Sequence, residues 1–289
     1  MAGNRFRLQG GLGNQLFIYY AAASYAIANK QEVITFDVSG LGQANTERTL
    51  ELDKFDLPIK YEVSVSRIPR VARAILTRIN RLLPAVNCRI GYLQPTEVGF
   101  SAALLKGKYF EVSGYFQSWR YSELVKKTFP SHSLNADVAS SWAESRISAA
   151  KDSKPILCHI RRGDFLKLQD SFGVLSYEYY LNAINQLRSK GAKGPVWVMS
   201  DSPNEISLEF LQNADAELII EPANTIATDT FAVMQACDSY IISNSTFSWW
   251  AAYTSNAKNV IAPKPWFKSM EEPLDLIPEN WIRIQSSWI

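Results

Sequence analysis

Short apolar runs alternate with amphipathic stretches through the second half of the chain. The apolar runs lie at residues 156–160, 196–199, 217–220, 240–242 and 259–261. Runs of this length predict buried strands, and the segments between them have helical spacing. Strands that alternate with helices form a parallel sheet with helices on both faces, so this half is predicted to be α/β.

The first half has the same alternation with less regular spacing. Its predicted strands lie at residues 6–8, 33–36 and 109–112, and its predicted helices lie at 15–30, 69–83 and 136–150. The polar segment 151–155 separates the last of these helices from the strand at 156–160. We therefore predict two α/β domains, residues 1–152 and residues 153–289.

Composition excludes several classes of protein. Of the 289 residues, 47% are hydrophobic and 20% are charged, which excludes disordered, collagenous and coiled-coil chains. The net charge of +2 gives no reason to expect a nucleic-acid partner. The three cysteines lack the spacing of a disulfide framework or a zinc site, which indicates a reducing compartment. No apolar run approaches the roughly 18 residues of a membrane span, so we expect a cytoplasmic protein without a signal peptide.

The residues after the predicted strand at 156–160 carry most of the candidate chemistry. His159 is followed by Arg161, Arg162 and Asp164, at the end of a strand where parallel sheets bind ligands. An arginine at this position is suited to bind a diphosphate through two hydrogen bonds. The alternative interpretation is a solvated charged surface without a ligand.

Two further segments join a predicted strand to a helix N-terminus. Residues 10–14 contain three glycines, and residues 243–248 contain hydroxyl and amide side chains. Backbone N–H groups at a helix N-terminus attract phosphate, and glycine lets the backbone approach it. Leu16 replaces the third glycine of a dinucleotide fingerprint, and no Walker lysine follows. A tight turn and ordinary helix capping are the alternatives for these two segments.

If these three segments converge, they form a cleft that holds a nucleotide diphosphate. Arginine and helix N-termini neutralise a diphosphate leaving group without a metal. The sequence has no triplet of two aspartates around one residue, and no cluster of histidines and carboxylates. We therefore expect no metal cofactor.

The predicted helix at residues 69–83 is both basic and amphipathic. Arginines are frequent from residue 63 to residue 96, where no acidic residue occurs, and apolar positions recur at helical spacing. Three interpretations are open for this helix: a peripheral contact with the cytoplasmic membrane surface, a contact with an acidic partner, or an arginine-rich surface without a partner.

Five motifs spread along the chain resemble those of one family. They are residues 10–15 with Phe17, residues 114–118, the quartet His159, Arg161, Arg162 and Asp164, the pair Ser200 and Asp201, and residues 244–250. Ser202 and Ala251 depart mildly from the family pattern. Over nearly its whole length the chain resembles the bacterial alpha-1,2-fucosyltransferases of glycosyltransferase family 11.

The resemblance implies a GT-B fold, which has two Rossmann-like domains facing each other across a cleft. It implies an acceptor-side N-terminal domain and a C-terminal domain that binds GDP-fucose. The implied reaction is inverting transfer of fucose from GDP-beta-L-fucose to the 2-hydroxyl of a terminal galactose. The implied acceptor is a cell-surface glycan precursor such as an O-antigen repeat, and a lipid-linked form of it would bring the enzyme to the membrane.

The resemblance also implies roles for individual residues. Arg161 is expected to bind the diphosphate, His159 to contact the nucleotide without acting as the base, and Asp201 to contact guanosine. Arg162 either assists Arg161 or holds the loop through a carboxylate. Asp164 is the candidate base, with a salt bridge to an arginine as its alternative. The other donor-binding candidates are Gly11, Gly13, Asn14, Asn244, Ser245, Thr246 and Phe247. Of these, Asn14 is also expected near the reacting sugar.

Two other functions remain open on the sequence. An enzyme of the same fold that uses another GDP-sugar, or makes another linkage, would have the same diphosphate site. A glycan-binding protein without turnover is suggested by Trp119, Trp249, Trp250 and Trp266. Such a protein would need no diphosphate site, which favours the enzyme.

Overall fold

Each half of the chain is built on one sheet of parallel strands. The computed structural model describes residues 4–41, 48–66, 68–82, 91–95, 98–167, 169–255, 257–273 and 275–289. The chain divides into a first unit, Met1–Leu134 with Pro273–Ile277, and a second unit, Asn135–Glu272 with Pro278–Ile289. Two units, each with a parallel sheet and helices, confirm the α/β class and the two Rossmann-like domains expected of a GT-B fold.

The first unit contains a sheet of five strands among the described residues. They are β1 (Arg5–Arg7), β2 (Val33–Asp37), β3 (Lys60–Ser64), β4 (Tyr92–Leu93) and β5 (Glu111–Val112), in the spatial order β3-β2-β1-β5-β4. The described helices of this unit are α1 (Leu12–Ala28), α2 (Arg70–Leu82), α3 (Ala102–Lys106) and α4 (Trp119–Thr128). Helix α1 is buried along most of its length, as expected for a helix that is apolar on all sides.

The second unit contains a sheet of six strands in the part of the chain that is described. They are β6 (Ile156–Ile160), β7 (Val196–Ser200), β8 (Ala216–Leu218), β9 (Ser239–Ile241), β10 (Asn259–Lys264) and β11 (Ile282–Gln285). The described helices are α5 (Ser141–Ser153), α6 (Tyr177–Ser189), α7 (Leu208–Ala214), α8 (Ala227–Gln235) and α9 (Thr246–Thr254). The tyrosines Tyr179 and Tyr180 of α6 are fully buried in the core on one face of the sheet.

The strand order of the second unit determines where a ligand can bind. The spatial order is β11-β10-β9-β6-β7-β8, so the chain winds outwards from β6 in one direction and then from β9 in the other. This is the doubly wound order, in which ligands bind at the carboxyl ends of the two strands where the winding reverses. In this unit those two strands are β6 and β9.

The predicted strands are confirmed to within a few residues, and several other elements were not predicted. The sequence analysis does not predict β3, β4, β11, α3 or α4. The predicted helices also begin and end differently. Helix α1 begins at Leu12, so Gly13 and Asn14 belong to its first turn and not to the loop before it.

The boundary between the two units lies earlier than residue 152, where it was predicted. The second unit begins at Asn135 and includes α5. Contacts within that unit explain the difference. The backbone N–H of Ala139 donates to the buried Asp229 carboxylate at 2.8 Å, and Arg146 lies 3.0 Å from Glu217. A polar segment in the sequence predicts the loop after α5, but it does not indicate which sheet the helix contacts.

The predicted basic helix is confirmed as α2, and its buried contact is made by a charged side chain. Arg73 is 7% exposed, whereas Val71, Ile75 and Leu82 of the same helix are exposed. Within the described residues, no helix combines the length and the apolar composition that crossing a membrane requires.

Arg73 joins α2 to the first sheet through two buried carboxylates. Its Nη2 lies 2.7 Å from Asp37 Oδ2, and its Nε lies 2.8 Å from Glu111 Oε1. Asp37 ends β2 and Glu111 begins β5, and these strands pair with opposite sides of β1. One guanidinium therefore connects α2 to two strands, one on each side of β1.

The surroundings of Asp37 favour its charged form. Burial alone would raise the pKa of Asp37, but hydrogen bonds from Ser66 and Ser39 and the positive charge of Arg73 lower it. The folded pKa is therefore below the unfolded value. Such a carboxylate contributes stability above its unfolded pKa, and this contribution is lost as the pH falls through the folded pKa.

We expect Arg73→Met to destabilise the fold by about 3–5 kcal/mol at neutral pH, because two buried carboxylates lose their cation. Urea-induced unfolding measures the change, and Arg78→Met on the exposed side of α2 is the matched control. The difference from wild type should shrink as Asp37 becomes protonated at low pH. Equal unfolding midpoints for the two variants would contradict the role of Arg73.

Candidate active site

The carboxyl ends of β6 and β9 bring together segments that are distant in sequence. His159 lies near the end of β6, and Ser243 follows β9. His159 Nδ1 and Ser243 Oγ form a hydrogen bond of 3.2 Å across a sequence separation of 84 residues. The ring of Phe247 lies beside the imidazole, with the two centroids 6.4 Å apart. This contact lies where the winding of the second sheet reverses, at the position expected for a ligand.

His159 is neutral at physiological pH. Burial, and then the positive charge of Arg161, lower the pKa of His159 to about 3. A neutral imidazole has one donor nitrogen and one acceptor nitrogen. Because a group with so low a pKa accepts a proton poorly, this environment is consistent with the expectation that His159 is not the base. Its contact with the nucleotide stays a prediction.

Helix α9 begins beside this histidine. Ser245 is its N-cap residue, but the side chain forms no capping hydrogen bond, and the first turn contains no acidic residue. No carboxylate within that turn therefore neutralises the positive end of the helix dipole. A phosphate suits such a position. The candidates Ser245, Thr246 and Phe247 all lie at this helix start, and the ring of Phe247 lies beside His159.

Arg161 is held by the carboxylate of Asp201, the residue that follows strand β7. Its Nε lies 3.1 Å from Asp201 Oδ2, and the two side chains are 21% and 22% exposed. Asp201 Oδ1 accepts the backbone N–H of Arg162 at 2.8 Å. The guanidinium also lies over the ring of Phe165, 5.2 Å from its centroid. An arginine held in this way has a defined orientation, which favours a two-point contact with a diphosphate.

Asp201 therefore positions Arg161 and the loop that follows β6. Both of its oxygens have partners within the second unit, a guanidinium and a backbone N–H. Its expected contact with guanosine is a prediction that these distances do not test.

Arg162 holds the same loop from the inside. Its Nη1 donates to the Leu175 carbonyl at 2.8 Å, and its guanidinium lies over the ring of Tyr177. Of the two alternatives for Arg162, the structure supports the one in which it holds the loop, but its observed partner is a carbonyl and not a carboxylate. Gly163 is required next to it, because a Cβ at this position would collide with the Asp201 carboxylate. Arg162 is buried by these contacts with Leu175 and Tyr177, whereas Arg161 is partly exposed.

Asn244 connects the start of α9 to a second loop. Its Nδ2 donates to the carbonyls of Phe172 and Gly173 at 2.8 and 3.2 Å. Phe172 in turn stacks on Phe165 at 5.4 Å, and Phe165 lies under Arg161. Asn244 therefore acts on the site by positioning the residues that surround Arg161. Its direct contact with the donor stays a prediction.

Asp164 lies in a short 3₁₀ helix, Gly163–Lys167, directly after the two arginines. Its side chain lies outside what the structure describes. The choice between a base and a salt-bridge partner for this residue is therefore still a prediction.

The glycine loop of the first unit differs from the start of α9 because a carboxylate of the protein already binds at its helix start. Gly10 has a φ of +77°, and Gly11 is the N-cap of α1. The Leu12 N–H donates to the carboxylate of Glu51. Burial raises the pKa of Glu51 despite this hydrogen bond. A phosphate would compete with this carboxylate at the helix start, and Gly11 and Gly13 stay predictions as donor contacts.

Two residues near this loop have roles that the sequence does not indicate. Gln15 is fully buried and donates to the Gly10 and Thr49 carbonyls, so it fixes the loop. Gln117 Nε2 donates to Asn14 Oδ1 at 3.0 Å, across 103 residues of sequence. The only available signal for Gln117 was its position in the polar and aromatic loop at residues 114–118. The order of the strands, which a single sequence does not reveal, brings it to Asn14.

Metal-ligating side chains do not cluster in the described part of the chain. No group of three or more His, Cys, Asp or Glu side chains there is arranged to hold a metal ion. The donor groups at the site are instead a guanidinium, backbone N–H groups and hydroxyls.

The sequence is similar to those of known glycosyltransferases. It is 27% identical to the alpha-1,2-colitosyltransferase of Escherichia coli, over 96% of this chain and 98% of that protein. It is 26% identical to the O-antigen biosynthesis glycosyltransferase WbnK of Escherichia coli, over 96% of this chain and 99% of that protein. It is 24% identical to galactoside alpha-(1,2)-fucosyltransferase 2 of Sus scrofa, over 63% of this chain and 58% of that protein.

The family pattern of glycosyl transferase family 11 matches residues 5–285. This match includes both units and every candidate residue named above, and it confirms the resemblance seen in the sequence. The chain belongs to glycosyl transferase family 11.

Proposed function

We propose that the protein transfers L-fucose from GDP-beta-L-fucose, with inversion, to the 2-hydroxyl of a terminal galactose. The acceptor is a glycan precursor such as an O-antigen repeat. The observation that carries the proposal is the group formed by His159, Ser243, the start of α9 and Arg161, at the winding reversal of the second sheet. Family membership supports it, and so do relatives whose names specify alpha-1,2 linkages and O-antigen biosynthesis.

The proposed role of this group is to stabilise the departing GDP. Charge develops on the diphosphate as the bond to the sugar breaks, and donors fixed in advance stabilise that charge without reorganising. Arg161 supplies a guanidinium that Asp201 already orients, and α9 supplies backbone N–H groups. His159 contributes a polar contact without a charge of its own. The second unit is thus the donor side of the enzyme.

No resident metal takes part in the proposed reaction. A guanidinium and a helix start together provide the positive potential that a divalent cation provides in other nucleotide-sugar sites. An inverting displacement also needs a base in line with the departing group. Asp164 is the candidate for this proton transfer, because it follows the arginines directly.

A second donor sugar, colitose, is the main alternative to fucose. One of the most similar relatives is named for transfer of colitose, and a diphosphate site does not distinguish one attached sugar from another. GDP-colitose is therefore the alternative donor. A protein that binds glycans without turnover is the other alternative.

Purified full-length protein tests the proposal with GDP-fucose, GDP-colitose and a panel of beta-galactosides. We expect fucosylated product with an alpha-1,2 linkage, determined by NMR, at a rate that excess EDTA leaves unchanged. Product from GDP-colitose alone would replace the proposed donor. Strict dependence on added Mg²⁺ or Mn²⁺ would contradict the metal-free reaction, and GDP binding without any transfer would favour a protein without turnover.

Arg161→Lys tests the diphosphate contact. Lysine keeps the charge but loses the planar, two-point geometry, so we expect kcat/KM for the donor to fall by about 10²–10³-fold. Arg146→Lys, in the same unit and away from β6 and β9, is the matched control. Circular dichroism and GDP calorimetry accompany the kinetics. A folded Arg161→Lys variant with wild-type kcat/KM and GDP affinity would remove Arg161 from the site.

We also propose that α2 contacts an anionic membrane surface, where a lipid-linked acceptor would be found. Val71, Ile75 and Leu82 are 71%, 55% and 71% exposed. Together with the exposed Arg78 they follow the spacing of one helix stripe, on the side opposite Arg73. Apolar side chains beside a cation match the chemistry of an anionic lipid surface.

Vesicle sedimentation tests this contact with the full-length protein. We expect binding to phosphatidylglycerol vesicles that weakens with salt, and weaker binding to phosphatidylcholine. Ile75→Ser with Leu82→Ser should lower the affinity by about tenfold or more per residue, because each loses apolar burial. Leu208→Ser, which alters another exposed leucine, is the control. If wild type binds polyglutamate but no vesicles at low salt, an acidic partner replaces the membrane.

A further inference from the structure

The first sheet has a winding reversal of its own. Its order is β3-β2-β1-β5-β4, so the chain winds outwards from β1 through β2 and then continues on the other side with β5 next to β1. By the same rule as in the second unit, a ligand is expected at the carboxyl ends of β1 and β5. The segments that follow these strands contain Asn14 and Gln117.

These two residues form an amide pair with one unsatisfied atom. Gln117 Nε2 donates to Asn14 Oδ1 at 3.0 Å, which fixes the orientation of the Gln117 amide. Gln117 is 7% exposed, and its Oε1 is buried without a hydrogen-bond partner. A buried acceptor left unpaired costs about 1–3 kcal/mol, so folded proteins nearly always give one a donor, from the protein itself, from ordered water or from a ligand. The atom that completes this pair must be a donor.

The loop that carries Gln117 is strained. Phe116 has a φ of +52°, which is unfavourable for a residue with a bulky side chain. Residues in such conformations persist where the surrounding structure imposes them, and they are frequent at ligand sites. Here the Gln117 N–H donates to the Val98 carbonyl at 2.7 Å and fixes the backbone beyond Phe116. Tyr115 is 39% exposed just before the strained residue.

The chemistry of this position suits a neutral ligand with hydroxyl groups. A hydroxyl donates one hydrogen bond, which is what Gln117 Oε1 lacks, and it also accepts from other donors. Asn14, Gln117 and Tyr115 are themselves uncharged, unlike Arg161 and Asp201 in the donor site. Charged groups lie around them: Arg7 acts on Tyr115, and Arg48 and Glu51 lie at the glycine loop before Asn14. An aromatic ring such as that of Tyr115 offers an apolar face to the C–H side of a sugar ring.

We propose that Gln117 Oε1 accepts a hydrogen bond from one hydroxyl of the acceptor sugar, and that Asn14 holds the Gln117 amide in place. The inference rests on the proposed function only in taking the acceptor to be a sugar. Gln117 thereby selects acceptors that present a hydroxyl at one defined ring position. Asn14 acts as its positioning residue at the start of α1.

Gln117→Met tests the contact, because methionine has a similar shape but no side-chain oxygen, and its thioether sulfur is only a weak acceptor. We expect the acceptor KM to rise about 10–100-fold, with the donor KM and GDP affinity unchanged. Gln212→Met, which alters an exposed amide in the second unit, is the matched control. Thermal unfolding establishes that both variants are folded.

Monodeoxy galactosides make the test specific to one hydroxyl. In wild type, removing the contacted hydroxyl should lower kcat/KM about as much as Gln117→Met does. In Gln117→Met the same deoxy acceptor should cause little further loss, because both changes remove one interaction. If every deoxy acceptor loses the same factor in wild type and in Gln117→Met, the contact does not exist. Should Gln117→Met fail to fold, Asn14→Ser replaces it and should weaken the same hydroxyl preference.

Binding measurements separate this inference from the proposed function. Saturation-transfer NMR detects galactosides on the full-length protein without any turnover. If wild type transfers neither fucose nor colitose, the proposed function fails, yet weaker galactoside binding by Gln117→Met than by wild type would still support the contact. Equal binding by the two proteins would overturn the inference whatever the donor proves to be.

Discussion

Parallel pairing brings the carboxyl ends of all strands in a sheet to one edge, and both units of this protein depend on that constraint. Where the winding reverses, the segments after two neighbouring strands come together even when they are far apart in sequence. In the second unit this brings His159 to Ser243, and in the first it brings Asn14 to Gln117. In each unit the winding reversal is therefore a position where polar side chains distant in sequence meet.

Two arginines show how the same charge is used in different ways. Arg73 is bound by two buried carboxylates, so the group carries no available positive charge and serves only to join α2 to the sheet. Arg161 lies 3.1 Å from the Asp201 carboxylate and keeps about a fifth of its side chain exposed. The degree of burial, more than the presence of an arginine, distinguishes a structural cation from one that can meet a ligand.

The charge balance of the donor site follows from these contacts. Arg161 with Asp201 is neutral as a pair, and His159 adds no charge because its pKa is low. Arg162 adds a positive charge beside this pair, because its side chain donates to the Leu175 carbonyl and not to a carboxylate. Directed hydrogen bonds from the Arg161 guanidinium and from the start of α9 then stabilise the negative charge that develops on the departing diphosphate.

The sequence predicts those features that depend on local pattern. Strand β6 agrees with its prediction at both ends, because it is a short apolar run between polar segments. Strand β3 (Lys60–Ser64) was missed because it is an edge strand without fully buried residues, and β4 has only two residues. The site residues near 159 and 243 were predicted from their positions after strands. Gln117 was not, since its partner depends on strand order.

The buried side of α2 illustrates a different limit. Its apolar residues recur at helical spacing, and such a pattern usually indicates the side that packs on a core. In the structure the buried contact is Arg73, because the sheet beneath presents Asp37 and Glu111. Those carboxylates are 36 and 38 residues away from Arg73 in sequence. The spacing of apolar residues within one helix does not show which charged residues the sheet beneath it presents.

The path of the chain also links the Gln117 loop to residues from near the C-terminus. Pro273–Ile277 belongs to the first unit, and the Asp275 carbonyl accepts the Trp119 N–H at the start of α4. The Asp275 carboxylate lies 3.5 Å from Arg120 and accepts the Phe100 N–H. The segment that follows Gln117 is thus fixed by residues that are synthesised long after it. The strained backbone at Phe116 consequently depends on nearly the whole chain, and residues 1–134 alone would lack part of what holds it.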